Sequence, residues 1–442
     1  MKTQPLTDFL QFILALGLFI WVGPKTYSQT ILLPQEAVEI ALKNNFNVII
    51  AQKDLELASQ TNTIGNAGAL PEVNIDAGGL GTNRNLRQLF VSGNEVNQDN
   101  VHTEELNYSV NVNWTLYDGM RMFVRKKIYE GEEVLKSYEL KNQIQEVVEQ
   151  LLVQYYTLSA ESEMIKVLQT QKDWVLKRLE LAESRALTGL GAQTDVLLSK
   201  LDLNAVESEI QEQKHRVFSL KQELLSIMAS YEWNSDFEVQ NEITTSNRVA
   251  QTFDSLSISH NPMIMAFRNR VLIARLQVQE THSFRLPEVR FSGNYSSIRS
   301  QADAGFLLRN RNYGLNYGLT AHLTLFNGGQ LRTQYRNAQT LKDRAEVEMK
   351  HIEWEVMKAQ KQAIHAFKTY SDLCEKEQAN VSIAESFLNL AHKRYEQGVA
   401  TILELKEAQN QLAEVQNRLY RFKLMCKMAE IQYLKSTGEL VS

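Results

Sequence analysis

The chain has 442 residues, 22% of them charged, and a net charge of −5 at pH 7, a balance in which nothing suggests nucleic acid as a partner. Its length would hold two or three ordinary domains. Two cysteines, Cys374 and Cys426, both inside helical patterns, offer no disulfide framework and read as packing residues.

Residues 1–28 read as a signal peptide: Phe9 to Val22 is apolar but too short to span a bilayer as a helix, and Thr26-Tyr27-Ser28 suits cleavage near Gln29. No cysteine stands at that site, which excludes lipid attachment there. From Pro34 to about Gly65 the spacing of Ala37, Ala41, Val48, Ala51, Leu55 and Ala58 predicts one helix. A strand is expected over about 70–82, opened by Leu70-Pro71, then a polar loop from Gly81 to Leu106, then a strand over about 107–117. In that second strand Tyr108, Val110, Val112, Trp114 and Leu116 alternate with Ser109, Asn111, Asn113 and Thr115. Such a strand lies between two solvents, and its length suits a tilted bilayer crossing of about 9–11 residues.

From Gly119 to about Leu187 the chain lacks proline, and a helix of some 70 residues at 1.5 Å each would be a rod of roughly 100 Å. Ile144, Val148, Leu151, Tyr155 and Leu158 form a heptad seam along it. After a break at Thr188-Gly189-Leu190-Gly191 a second helix returns on Leu203, Val206, Ile210, Gln213, Val217, Leu220, Leu224 and Ile227, with Gln213 as one polar intruder. Residues 231–256 lose this periodicity and are expected to be an equatorial segment, a linker or a belt around the rods.

The pattern then repeats. Phe326-Asn327-Gly328 answers Tyr117-Asp118-Gly119 at a distance of 209 residues, and Leu286-Pro287 answers Leu70-Pro71 at 216. Strands are expected over about 286–296 and 314–326, the latter with Leu315, Tyr317 and Leu319 on its apolar side. A rod from about Gly329 to Gln397 turns at Gly398 into a last helix on Leu412, Val415, Leu419, Phe422, Cys426, Ala429 and Tyr433, the first return helix shifted by 209. The chain thus divides into a first repeat, 29–230, and a second, 257–442, each a β-hairpin with long antiparallel coiled-coil helices, an α+β plan. Four strands cannot close a barrel, and an open edge cannot sit in lipid. Two chains would give eight strands with a filled interior; three would give twelve and a lumen suited to the Asn, Ser, Thr and His faces.

These residues, with Leu325-Phe326-Asn327-Gly328-Gly329 after a strand and the tips Gly189 to Leu198 and Tyr395 to Leu405, resemble the TolC-like outer-membrane efflux family over essentially the whole mature chain. The resemblance implies a homotrimer with one twelve-stranded barrel in the cell outer membrane, continued by an α-helical barrel across the periplasm. It implies docking to a periplasmic adaptor and an inner-membrane transporter, of RND or ABC type, and export of drugs, metals or proteins. Tyr108, Val110, Val112, Trp114, Leu315, Tyr317 and Leu319 would then face lipid, and Gly189, Leu190, Gly398 and Val399 would meet the adaptor. Thr194, Asp195 and Tyr395 match three members of the family's periplasmic latch, whose arginine position is here Ala400. Glu404 and Glu407 match an acidic pore ring. The chain departs from the family at Phe46, in place of a proline, and at Met120, in place of a glycine.

Catalytic and cofactor chemistries find no support. Gly78-Gly79-Leu80-Gly81 lies on a strand with no helix start behind it, no Walker motif occurs, and the eight histidines form no metal-binding pair with a glutamate between. The competing reading is a periplasmic or secreted coiled-coil scaffold without channel activity.

Overall fold

The computed structural model describes residues 31–230, 237–240, 243–245, 258–305 and 307–441. The expected signal peptide lies outside them, as do residues 231–236, 241–242 and 246–256 of the equatorial segment. In order the elements are β1 (Ile31–Leu32), α1 (Pro34–Asn44), α2 (Phe46–Thr61), β2 (Glu72–Leu89), β3 (Glu95–Asp118), α3 (Arg121–Leu187), α4 (Gln193–Met228) and β4 (Glu238–Val239). There follow α5 (Pro262–Ser283), β5 (Glu288–Ala302), β6 (Arg309–His322), α6 (Gln330–Glu396) and α7 (Ile402–Thr437).

The two rods, α3 and α6, have 67 residues each, and the return helices α4 and α7 have 36 each. Their seams close as the heptads require. Val148, Leu151, Tyr155 and Leu158 of α3 are buried, as are Val206, Ile210, Val217 and Leu224 of α4 and Val415, Leu419, Cys426 and Tyr433 of α7. The polar intruder is satisfied: Gln213 Nε2 donates to the Glu161 carbonyl at 2.9 Å and to its carboxylate at 2.6 Å. None of the described helices is long and apolar enough to cross a membrane.

Three expectations are corrected. The helix expected over 34–65 is two, because Asn45 adopts an extended ψ of 125° and its side chain caps α2 through the amides of Asn47 and Val48. Asn261 does the same for α5. Each asparagine also donates its Nδ2 to the end of a return helix, Asn45 to the Ile227 carbonyl at 2.8 Å and Asn261 to the Ser436 carbonyl at 3.0 Å, so the repeats are closed by the same staple.

The expected loop 81–106 is mostly ladder, since β2 and β3 pair from Glu72↔Asn113 out to Leu89↔Glu95 with one irregularity between Arg84 and Leu86. Continuous pairing with a partner overrides the poor strand propensity of Asn and Gly. In the second hairpin the ladder instead stops at His322, short of Leu323 to Phe326, while β5 runs on to Ala302.

The four long strands form one antiparallel sheet in the order β2-β3-β5-β6. Its outer edges, on β2 and β6, have no partner strand among the described residues. Chain reversals at the foot of the sheet use left-handed residues: Gly119 at φ 72° is forced, because a Cβ there would lie 2.5 Å from the Ser283 carbonyl oxygen. The described part of the equatorial segment lies across the rods. β4 pairs in parallel with β1, Phe237 is buried, and the Tyr155 hydroxyl donates to the Leu32 carbonyl at 2.7 Å and accepts from the Gln240 amide at 2.9 Å. Lys427 of α7 reaches the Thr244 carbonyl at 2.9 Å.

Candidate functional site

Two regions carry functional character: the sheet and the far end of the helical hairpins. In the sheet, strand alternation and register sort the side chains into two faces. Val110 stands opposite Ile75 and Tyr295, and Tyr295 opposite Leu315; Val112 stands opposite Val73 and Gly293, and Gly293 opposite Tyr317. Tyr108, Val110, Val112, Trp114, Leu315, Tyr317 and Leu319 therefore share one face across three strands, and β2 extends it with Val73 and Ile75. That face is bare: Ile75 is 80% exposed and Tyr317 77%. Apolar side chains in such a contiguous exposed array have no folding role within the chain and mark a surface that something else covers. The indole of Trp114 keeps its polar edge satisfied by donating to the Ala69 carbonyl at 2.9 Å.

The opposite face is polar at the same height. Asn74, Asn111, Asn294 and Asn316 fall in one row, one from each strand. Asn294 donates to the Asn111 side chain, and Asn111 donates to the Asp76 carboxylate and to the Ser109 hydroxyl.

At the other end of the molecule, Gly189 and Gly398 hold φ at 75° and 77°, where the rods reverse. The amides of Leu190 and Val399 each bond back to the carbonyl of the last-turn arginine, Arg185 or Arg394, at 2.9 Å. Both apolar side chains then project outward, Leu190 77% and Val399 68% exposed. An apolar cluster containing Ala182, Val196, Leu388, Ala391, Tyr395, Ile402, Leu405 and Ala408 joins all four long helices just above the tips.

Thr194 is exposed, Asp195 is half-buried and Tyr395 is buried. Asp195 is near enough for its charge to reach the Tyr395 hydroxyl: burial chiefly, and then that carboxylate, push the phenol above its usual range, while Arg185 and Arg178 pull the other way. The group that grips Tyr395 is Arg185, whose Nη1 donates to the Tyr395 carbonyl at 3.1 Å and whose guanidinium lies 5.2 Å from the ring centre. So a cation does sit beside the tyrosine, supplied from α3 and not from position 400.

Deeper in the same end is a set of residues the sequence reading missed. Arg178, 2% exposed, donates to the Asp202 carboxylate at 2.5 Å and to Gln409 Oε1 at 2.9 Å, and Lys406 donates to the other Asp202 oxygen at 2.7 Å. The bonds to Gln409 and from Lys406 cross between the α3–α4 hairpin and α7. Burial lowers the Arg178 pKa and Asp202 opposes that, leaving the guanidinium charged. A signal was available: Arg178 falls on the heptad seam between buried Val175 and Ala182, where a charge needs a partner.

Of the two acidic positions, Glu404 accepts from Arg394 Nη1 at 2.7 Å and Glu407 accepts from Gln411 Nε2 at 2.8 Å, with Glu407 exposed. Among the described residues no group of three His, Cys, Asp or Glu is arranged to hold a metal ion.

Residues 37–229 and 255–439 match the model of the outer membrane efflux protein family. The chain belongs to that family. Among its relatives, the solvent efflux pump outer membrane protein SrpC of Pseudomonas putida is 19% identical over 310 residues, which are 70% of this chain and span 65% of SrpC. The fold agrees with that of the outer membrane protein VceC of Vibrio cholerae at a TM-score of 0.75 and 19% identity, covering 92% of this chain and 96% of VceC. It agrees equally with the CmeC outer membrane channel of Campylobacter jejuni at 0.75 and 15% identity, over 92% and 86% of the two chains. Each of the two matched stretches contains a hairpin, a rod and a return helix.

Proposed function

We propose that three copies of this chain form an outer-membrane exit duct, each giving its four strands to one barrel and its helices to a tunnel through the periplasm. The observation that carries this is the sheet: bare and apolar on one face, lined with asparagine on the other, and open at both edges. In lipid, unpaired ladder groups cost several kcal/mol each, so a sheet of this kind is stable in a membrane only when other copies close it. The apolar face then meets the acyl chains and the asparagine row lines the lumen. A coiled-coil scaffold would have no use for a two-faced sheet with an exposed apolar side.

The tips, Gly189-Leu190 and Gly398-Val399, present apolar knuckles on left-handed turns, a shape suited to a helical hairpin of a periplasmic adaptor that links the duct to an inner-membrane transporter. Just above them, the bonds from Lys406, Arg178 and Arg185 between the two hairpins restrain the periplasmic mouth, and Asp195 with Tyr395 stands beside them. Opening separates the hairpins and breaks these bonds while the turns themselves persist. The cargo is that of the transporter. Glu404 and Glu407 would stand near the narrowing and bias it toward cations, Glu404 less so while Arg394 neutralises it.

The test is a paired substitution on adjacent sheet positions. Leu315→Arg places a charge on the lipid side at a cost of roughly 2–4 kcal/mol near mid-bilayer. It is expected to abolish heat-resistant trimer in the outer-membrane fraction, whereas Asn316→Arg on the lumen side is expected to assemble. Equal tolerance of both, or wild-type protein that washes off with salt, would refute the membrane assignment.

A further inference from the structure

Above the apolar band, at the end of the sheet far from the helices, the same outward face changes character. Counting along β5 and β6, whose register is unbroken from Glu288↔His322 to Gln301↔Arg309, the positions that follow Tyr295 and Leu315 on this face are Ser297 and Tyr313, then Arg299 and Arg311, then Gln301 and Arg309. Arg299 and Arg311 are directly opposed. All three arginines are exposed, and none is ion-paired with a described carboxylate. The guanidinium of Arg311 lies 5.8 Å from the ring centre of Tyr313, which sets it at the upper margin of the aromatic rows.

Like charges directly opposite in an antiparallel pair destabilise a sheet. The strands could relieve this pair with a neighbouring acid, yet the adjacent β3 position opposite Arg299 is Leu106. The nearest acid on this face, Glu104, stands opposite Gln301 one row further out and contacts His102 at 3.4 Å. Asp303 follows at the turn, its amide bonded to the His102 carbonyl. Among the described residues three arginines thus gather on this face with only Glu104 and, at the turn, Asp303 near them, and neither acid is ion-paired with any of the three.

We propose that Arg299, Arg309 and Arg311 bind the phosphate groups of an outer-leaflet lipid whose acyl chains lie along Tyr295, Leu315 and Tyr317. Guanidinium forks match phosphate oxygens in a bidentate manner, and two phosphates on one lipid would bridge the opposed pair and its outer neighbour. This rests on the outer-membrane reading above, because the apolar band fixes which face meets lipid.

The experiment uses purified full-length trimer in detergent and, as probes, a bis-phosphorylated acylated glucosamine disaccharide, its dephosphorylated form and inorganic phosphate. Binding is read as intrinsic tyrosine and tryptophan fluorescence quenching and as lipid retained in native mass spectra. The bis-phosphorylated lipid is expected to bind wild type at least tenfold more tightly than the Arg299→Gln/Arg309→Gln/Arg311→Gln variant, and the dephosphorylated lipid to show no such difference. Removing three like charges from one face should leave the variant's trimer and outer-membrane partition intact. Unchanged lipid binding by that variant overturns the proposal, as does saturation by inorganic phosphate alone at the same affinity. A wild-type protein recovered in the salt-washable fraction would instead sink the membrane reading itself, whatever the arginines bind.

Discussion

Asp202 is the most informative single position at the tip end of the helical hairpins. Its carboxylate is the only described anion in contact with Arg178, whose side chain is 2% exposed, and it also receives Lys406. In Asp202→Ala the Lys406 bond is a minor loss, since that side chain is 33% exposed and such pairs are worth about 1 kcal/mol at most. The larger effect is on Arg178, left charged and buried with only Gln409 to answer it, and breaking a buried pair from one side costs about 3–5 kcal/mol. Parting the hairpins lets water reach Arg178, so the cost falls on the closed arrangement. A bias of about 3 kcal/mol is roughly a hundredfold in the open-to-closed ratio. Single-channel recording of purified trimers in planar bilayers should show wild type mostly at low conductance and Asp202→Ala mostly open. Adding Arg178→Met, an apolar group of similar reach, removes the stranded charge and should return the closed state. Unchanged conductance in Asp202→Ala, or a double variant as leaky as the single one, would refute the restraint.

Gly328→Ala adds a Cβ into open space at φ 67° and should cost about 1–2 kcal/mol of stability. Gly119→Ala also drives a Cβ to 2.5 Å from the Ser283 carbonyl and 2.8 Å from Leu286, and should cost about 2–5 kcal/mol in urea unfolding, so equal effects would contradict the packing at the sheet's foot. Burial chiefly pushes the Tyr155 phenol up to about 12, above its unfolded value near 10. Its contribution is therefore full below pH 10 and lost as pH rises from 10 through 12; Tyr155→Phe should cost about 1–3 kcal/mol at pH 7 and flatten that alkaline limb in a melting series.

How far the sequence could be read depends on whether a feature repeats along one segment or arises between segments. Rods and seams are local periodicities, so 67-residue helices, their glycine turns and the 209-residue duplication were legible. The two faces of the sheet were legible for the same reason in Tyr108 to Leu116. The outer halves of β2 and β3 were not, because Gly81 to Leu106 carries no alternation of its own and is extended by its ladder to the partner strand. The break at Asn45 was masked by Phe46, while Pro262 marks its counterpart openly. At the tip, the resemblance to the efflux family pointed to Asp195 and Tyr395, but the bonds that cross between hairpins start from Arg178 and Arg185, on α3, more than 200 residues from their partners in α6 and α7. Nothing in a one-dimensional pattern brings those together.

The two unpaired edges of the sheet set the thermodynamics of the whole chain. A ladder that ends on β2 and β6 is unfinished in a single copy, so part of what stabilises each fold resides in contacts that appear only on encounter with another. On the proposed assembly of three copies, melting temperature becomes a function of protein concentration, rising as mass action favours association. A solitary chain would present two sticky margins and an oily face to water, a hazard for aggregation. Expression level, and not only sequence, would therefore govern how much of this protein survives to reach its place.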